Sequence, residues 1–170
     1  MKINATVDIN LIGLASNKAI IIPIQVCGKT DQNNANDFGV GAVGSALAKE
    51  LPYIKSIVCR LFPEMLFFLK DVQLQLSADI DNRYDCKIVD TVSAQLPLAL
   101  SLCMLLRKSF GLPLIANFAA TGTLDPLGFI TPVEDLLSKR LAAQNTLLIE
   151  PAGFHHIFDA LKAINCLVIR

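Results

Sequence analysis

Residues 93–108 read SAQLPLALSLCMLLRK, and the fold follows from where that run must be placed. From Leu96 to Leu106 nearly every side chain is apolar, so no face is reserved for water. A helix of that kind lies in an interior. The apolar stretch Ala94–Leu106 holds Gln95 and Pro97 and falls short of the ~20 residues that a spanning helix needs, so the interior is a protein core. The run predicts one buried helix over 93–108, closed by Gly111 and Pro113.

A buried helix must be covered, and the flanking sequence supplies the cover. Upstream, residues 3–13 alternate imperfectly up to Gly13, and residues 19–27 (AIIIPIQVC) are β-branched and nearly continuous. They predict two paired strands around a turn at Asn17-Lys18. Residues 28–37 (GKTDQNNAND) predict a loop. Leu47, Leu51, Ile54, Ile57, Val58 and Leu61 recur at helical spacing and predict a helix over 43–61, ended by Pro63. Residues 72–80 (VQLQLSADI) alternate as a half-buried strand, followed by a polar loop over 81–87. Downstream, the expectation is a strand at 117–121, a hairpin over 123–131 turning at Asp125-Pro126, and a helix from Thr131-Pro132 to about Gln144. A strand at 146–149, a helix at 153–163 and a strand at 166–169 complete the chain. Thr131 has the chemistry of a helix cap, with Pro132, Glu134 and Asp135 in the first turn. The fold class is α+β (mixed α/β): paired strands in the N-terminal half, then alternating strands and helices, in a single domain over 1–170.

Composition narrows the partners. The chain is 53% hydrophobic, with fifteen basic and fifteen acidic residues and a formal charge of zero. No basic stripe marks a nucleic-acid surface, and the oily, uncharged balance favours self-association or simply a well-filled core. The five cysteines (Cys27, Cys59, Cys86, Cys103 and Cys166) form no CxxC pair. They read as reduced, buried thiols of a cytoplasmic protein rather than a disulfide framework or zinc site. The N-terminus has no apolar signal-peptide core.

Three features invite a chemical reading. Gly39-Val40-Gly41-Ala42-Val43-Gly44 matches GxGxxG, but no strand precedes it, so it reads as a flexible entry to the first helix rather than a dinucleotide site. His155 and His156 are adjacent, point in different directions on a helix, and read as structural. The third is an ordered set: Asp90-Thr91-Val92-Ser93-Ala94, then Thr121-Gly122, then Pro132 to Ala143 carrying Lys139. Taken alone, Ser93 reads as a helix N-cap and Lys139 as a solvated helix lysine.

In that order the three segments resemble the proteolytic domain of the Lon protease family. There, D-x-x-S-A carries a nucleophile, T-G ends a strand, and P-[IV]-x-x-L-x-x-K-x-x-A-A carries a lysine. Gly41 to Gly44 entering a helix, Val72 to Leu76, and Leu147 to Pro151 fit the same domain, so the resemblance runs from about residue 8 onward. It implies a serine-type endopeptidase that cleaves unfolded or extended polypeptide through an acyl-enzyme, without metal or cofactor. Ser93 falls on the nucleophile, Lys139 on its base, Thr121 on the hydroxyl supporting the lysine, and Asp90 on the acid before the serine. It also implies an ATPase partner, as module or subunit, and a ring-shaped homo-oligomer, commonly a hexamer.

The chemistry is coherent. A serine needs a base to take its proton. A lysine serves only if desolvation lowers its pKa from about 10.4. Leu136, Leu137, Leu141, Leu96 and Leu100 are the expected apolar surroundings, and the amides at the start of the Ser93 helix the expected oxyanion donors. The sequence departs from the family pattern at Gln95, Thr123, Glu134 and Asp135. Two acids before Lys139 would hold its proton, and Gln95 would narrow a substrate groove. The alternative is therefore a weak or inactive Lon-like module used for oligomerisation or partner binding.

Overall fold

The two β-branched runs form one long antiparallel ribbon. In the computed structural model, which describes residues 3–15, 18–30, 42–70, 72–76, 91–114 and 117–166, β1 is Asn4–Ala15 and β2 is Lys18–Lys29. Every residue of β1 pairs with β2, from Asn4↔Lys29 to Ala15↔Lys18. Lys18 lies in β2 rather than in the predicted turn, and Gly28 and Lys29 lie in β2 rather than in the predicted loop over 28–37; residues 31–37 of that loop, and Asn17, lie outside the described residues. β3 (Gln73–Leu76) adds antiparallel to β2, while β4 (Phe118–Ala120) and β7 (Leu147–Ile149) add in parallel on the far side of β1. The sheet order is β3-β2-β1-β4-β7. Antiparallel pairing in the N-terminal half and parallel pairing after it give the mixed α/β architecture that the pattern predicts. The short hairpin β5 (Thr123–Leu124) and β6 (Ile130–Thr131) turns where Asp125 accepts the Leu127 and Phe129 N–H groups at 3.0 and 2.8 Å.

The helices around the sheet are shorter than their sequence periodicity predicts. The run 43–61 is two helices, α1 (Ala42–Ala48) and α2 (Leu51–Leu61). Pro52 explains the break: it has no N–H for the Ala48 carbonyl, so it starts a new helix instead of continuing the old one. After Pro63, α3 (Glu64–Lys70) forms where no element was expected. The apolar run is α4 (Gln95–Ser109), with every residue from Gln95 to Leu106 buried. α5 is Leu136–Ala142, not 131–144. Thr131 is taken by β6, and Asp135 has a left-handed φ of 53°, which a helix interior does not admit. α6 is Ile157–Ala163. Residues 167–169 of the predicted strand at 166–169, and the whole predicted loop at 81–87, fall outside the described residues, and Cys166 itself lies in no strand. Among the described residues no helix is long and apolar enough to cross a membrane.

Strand alternation sorts the core into two layers. Val7, Ile9 and Leu11 of β1, Ile22, Ile24 and Val26 of β2, and Phe118 and Ala120 of β4 face the side covered by α2, α3, α4 and α6. Ile12, Ala19 and Ala119 face the other side, where Ala143, just beyond α5, packs on them. The large front core thus presents the start of α4, and the small back core presents α5, to the carboxyl end of β4.

Candidate active site

Thr121 and Gly122 follow the last residue of β4, and both layers reach them. From the front, the turn at 91–94 is clasped to Gly122 by two backbone hydrogen bonds: Gly122 N–H to the Ser93 carbonyl and Leu96 N–H to the Gly122 carbonyl, each 3.0 Å. From the back, Lys139 Nζ donates to Thr121 Oγ1 at 3.4 Å. Three side chains are thereby withdrawn from water: Ser93 is 3% exposed, Thr121 1% and Lys139 0%. Asp90 lies outside the described residues. A narrow crevice too tight to hold a water molecule runs beside Ser93, lined by Leu11, Ile12, Gly13, Ala94, Pro97 and Ala120 among others.

The ordinary readings of the pair do not describe this site. Ser93 is not the N-cap of α4; Ala94 is, with no side-chain cap. Lys139 is not a solvated lysine but one of the largest fully buried side chains. Its surroundings also differ from expectation. Leu137 and Leu141 are 73% and 64% exposed and do not enclose it. They lie two residues either side of Lys139, and side chains two apart on a helix point to nearly opposite faces. The same geometry that buries the lysine therefore exposes both leucines.

The helix-start amides are spent. Gln95 N–H donates to Val92 O at 3.2 Å, Leu96 N–H to Gly122 O, and Leu98 N–H to Ala94 O at 3.0 Å, while Pro97 has none to give. Gln95 does not project into a groove: its Oε1 accepts the Leu124 N–H at 2.9 Å and its Nε2 donates to Glu50 Oε2 at 3.4 Å. It braces the turn at 91–94 against β5 and the start of α2, a role signalled in sequence by a lone amide in an otherwise apolar run. Glu134 and Asp135 are exposed at the surface, whereas Lys139 is not. Gly122 is required by packing: a Cβ there would stand 2.9 Å from Ile130 Cγ2 and 3.1 Å from Leu96 Cδ2.

The remaining candidates are structural. His156 caps α6, accepting the Phe158 N–H at 3.1 Å, while Asp159 accepts the His156 N–H at 3.2 Å. Its Nε2 lies 2.8 Å from the Leu127 carbonyl, which assigns the proton to Nε2. α1 begins at Ala42, and Gly39 to Gly41 lie outside the described residues. Cys103 and Cys166 are buried, and burial pushes the Cys103 thiol well up and that of Cys166 up to about 12. Neither is a thiolate at neutral pH. Cys27 and Cys59 are only partly buried, short of the full burial expected; Cys27 follows the core residue Val26 in β2 and so points to the other face of the sheet. Among the described residues no three His, Cys, Asp or Glu side chains come together as metal ligands would. No protein-family model and no curated protein matches the chain.

Proposed function

We propose that this domain is a Lon-like serine peptidase that hydrolyses peptide bonds in unfolded or extended polypeptides. The single observation that carries the reading is Lys139: fully buried, bonded through Nζ to Thr121 Oγ1, one residue from the Gly122 clasp on Ser93. Withdrawing an ammonium from water disfavours its charged form, which is what a lysine base requires. A surface or scaffolding lysine has no need of that environment.

In the proposed reaction Lys139 Nζ takes the Ser93 hydroxyl proton as Oγ attacks the scissile carbonyl carbon. The C–N bond breaks, the proton passes to the leaving amine, and an ester to Ser93 remains. Water, its proton taken by Lys139 Nζ, then attacks the ester carbonyl carbon; the bond to Ser93 Oγ breaks, Oγ takes the proton back from Nζ, and the acid leaves. Thr121 holds Nζ in place. The oxyanion donors lie outside the first turn of α4, whose amides are committed. With Ser93 only 3% exposed, the turn at 91–94 opens to admit a substrate. Asp135 adds support: it takes a left-handed φ of 53°, and the family often has two glycines where this chain has Glu134 and Asp135, glycine being the residue that adopts this conformation without strain. The ATPase partner, the cytoplasmic setting and the ring-shaped oligomer belong to the same proposal.

A second reading, a partner-binding or assembly module, is favoured by Leu137 and Leu141, an apolar pair one turn apart on the outer face of α5. Cleavage of a fluorescein-labelled unfolded protein separates the two. The peptidase reading expects cleavage by the wild type, a fluorophosphonate adduct on Ser93, and loss of both in Lys139→Met, with cleavage also lost in Ser93→Ala. Cleavage that survives Ser93→Ala, or a folded wild type with neither cleavage nor adduct, leaves only the assembly reading.

A further inference from the structure

Residues 122–124 are held along both edges, and the edge toward Ser93 is closed by side chains as well as backbone. Asp125 N–H reaches across the hairpin to Phe129 O at 3.0 Å, so the two-residue period turns Thr123 toward β6 and Leu124 away from it. Four groups face that outward edge, and each is engaged. Gly122 N–H donates to the Ser93 carbonyl, and the Gly122 carbonyl accepts the Leu96 N–H. Leu124 N–H donates to Gln95 Oε1 at 2.9 Å, and the Leu124 carbonyl accepts the Tyr53 hydroxyl at 2.8 Å.

These attachments are not equivalent. The two at Gly122 form one point about which the start of α4 can turn. Gln95 adds a second point two residues along the strand, about 7 Å away, and two points fix an orientation where one does not. What they orient is the candidate pair. Thr121, next to Gly122, receives Lys139 Nζ, while Ser93 stands two residues before Gln95 on the α4 side. Gln95 is itself held the right way round: only its oxygen can accept the Leu124 N–H, and its nitrogen donates to Glu50 Oε2 at 3.4 Å. Leu124 is buried, so bulk water does not replace the amide as acceptor.

We propose that Gln95 is a positioning residue that sets the approach of Ser93 Oγ to Lys139 Nζ, with Glu50 orienting its amide. The proposal rests on the peptidase reading and goes beyond a brace for the fold. Proton transfer from serine to lysine demands a fixed approach of two atoms, and a displacement of about 1 Å costs up to about a hundredfold in rate. Gln95 is one of the departures from the family pattern, so the resemblance gives it no part in the chemistry. Its part comes from the two bonds that tie the serine's helix to the strand end carrying Thr121.

The test is fluorophosphonate labelling of Ser93 in the full chain, resolved into the probe's KI and the maximal rate kinact, with the folded fraction read by circular dichroism in the same buffer. Gln95→Met keeps the length of the side chain and removes both bonds. Its kinact should fall by about ten- to a hundredfold at unchanged KI and unchanged folded fraction. Gln95→Glu sets a second carboxylate against Glu50 and should also slow labelling. Gln95→Glu combined with Glu50→Gln exchanges donor and acceptor, keeps an acceptor for Leu124, and should recover most of the lost rate. This exchange carries the test if Gln95→Met does not fold. A merely structural brace would lower the folded fraction and leave kinact of the folded protein alone. A wild-type kinact in the folded single variants, a change confined to KI, or no recovery in the exchange would each overturn the positioning role while wild-type labelling upholds the peptidase reading. A folded wild type that takes no label overturns both.

Discussion

The two faces of the sheet are padded unequally. On the front, β1, β2 and β4 bury a broad run of Ile, Leu, Val and Phe against α4, whose every residue from Gln95 to Leu106 is out of water. On the back, the buried residues are Ile12, Ala19, Ala119 and Ala143, three of them alanines. Ser93 belongs to the heavy side, where its carbonyl accepts the Gly122 N–H and the Gly122 carbonyl accepts that of Leu96. Lys139 belongs to the light side, on a seven-residue helix that begins from a left-handed residue. Apolar burial contributes roughly 25 cal/mol per Å², so the front layer supplies most of the fold's stability. The back layer contributes little area and holds one expensive buried amine. A serine on rigid ground and a base on lighter ground make stability and site chemistry separable by mutation.

The largest effect should come from the front. Leu100 is fully buried in α4, and Leu100→Ala should cost about 2–5 kcal/mol in urea unfolding, from lost burial and the cavity left behind. Leu137→Ala on the outer face of α5 should change stability by no more than about 0.5 kcal/mol. Similar costs at the two sites would mean that the layers are not unequal in the way described. Next is the clasp between them. Gly122→Ala forces a methyl against Ile130 and Leu96 and should cost about 1–3 kcal/mol. It should also slow fluorophosphonate labelling of Ser93, because the bonds to Gly122 position that turn. Unchanged labelling would show that the clasp does not set the serine's geometry.

The front layer was far more legible in the sequence than the back. A nearly all-apolar run of about three turns reads as a core helix, and two β-branched runs around a turn read as a pair, so α4 and the β1–β2 ribbon are visible in the residues. Short elements were obscured by chain geometry that periodicity does not carry. The division between α1 and α2 turns on one missing N–H at Pro52, and the late start of α5 on one backbone angle at Asp135. Spacing marked Ser93, Thr121 and Lys139 as a set but was silent on burial. On the seven residues of α5, Leu137 and Leu141 look like the inward face, and only the packing against Ile12 and Ala119 turns Lys139 inward instead. Gln95 looked like an obstruction because its partners, Glu50 and Leu124, are 45 and 29 residues away.

A smaller effect is expected on the back. Replacing a buried lysine by an apolar side chain of similar length removes the cost of burying an ionisable group and also its bond to Thr121, and the two oppose each other. Lys139→Met should therefore stay within about 1 kcal/mol of the wild type in stability while abolishing Ser93 labelling. A Lys139→Met destabilised beyond that range would place the lysine among the supports of the fold, and the division between a structural front and a chemical back would fail.

The smallest effect tests what holds the lysine helix in register. Asp135 sits at φ 53°, and its carbonyl accepts the Lys139 N–H at 3.1 Å, so the left-handed turn fixes where α5 starts. For a residue with a Cβ that conformation costs roughly 1 kcal/mol. Asp135→Gly relieves it but gives back a similar amount through the looser unfolded chain and the lost carboxylate at a helix start. Stability should stay within about 0.5 kcal/mol of the wild type. Asp135→Ala keeps the strain and loses the carboxylate, so it should fall by about 1 kcal/mol. The contrast between glycine and alanine isolates the backbone angle from the charge. If both variants fall equally, the carboxylate supports the helix. If only alanine falls, the turn does, and a glycine at 135 is then compatible with a fully formed Lys139–Thr121 contact.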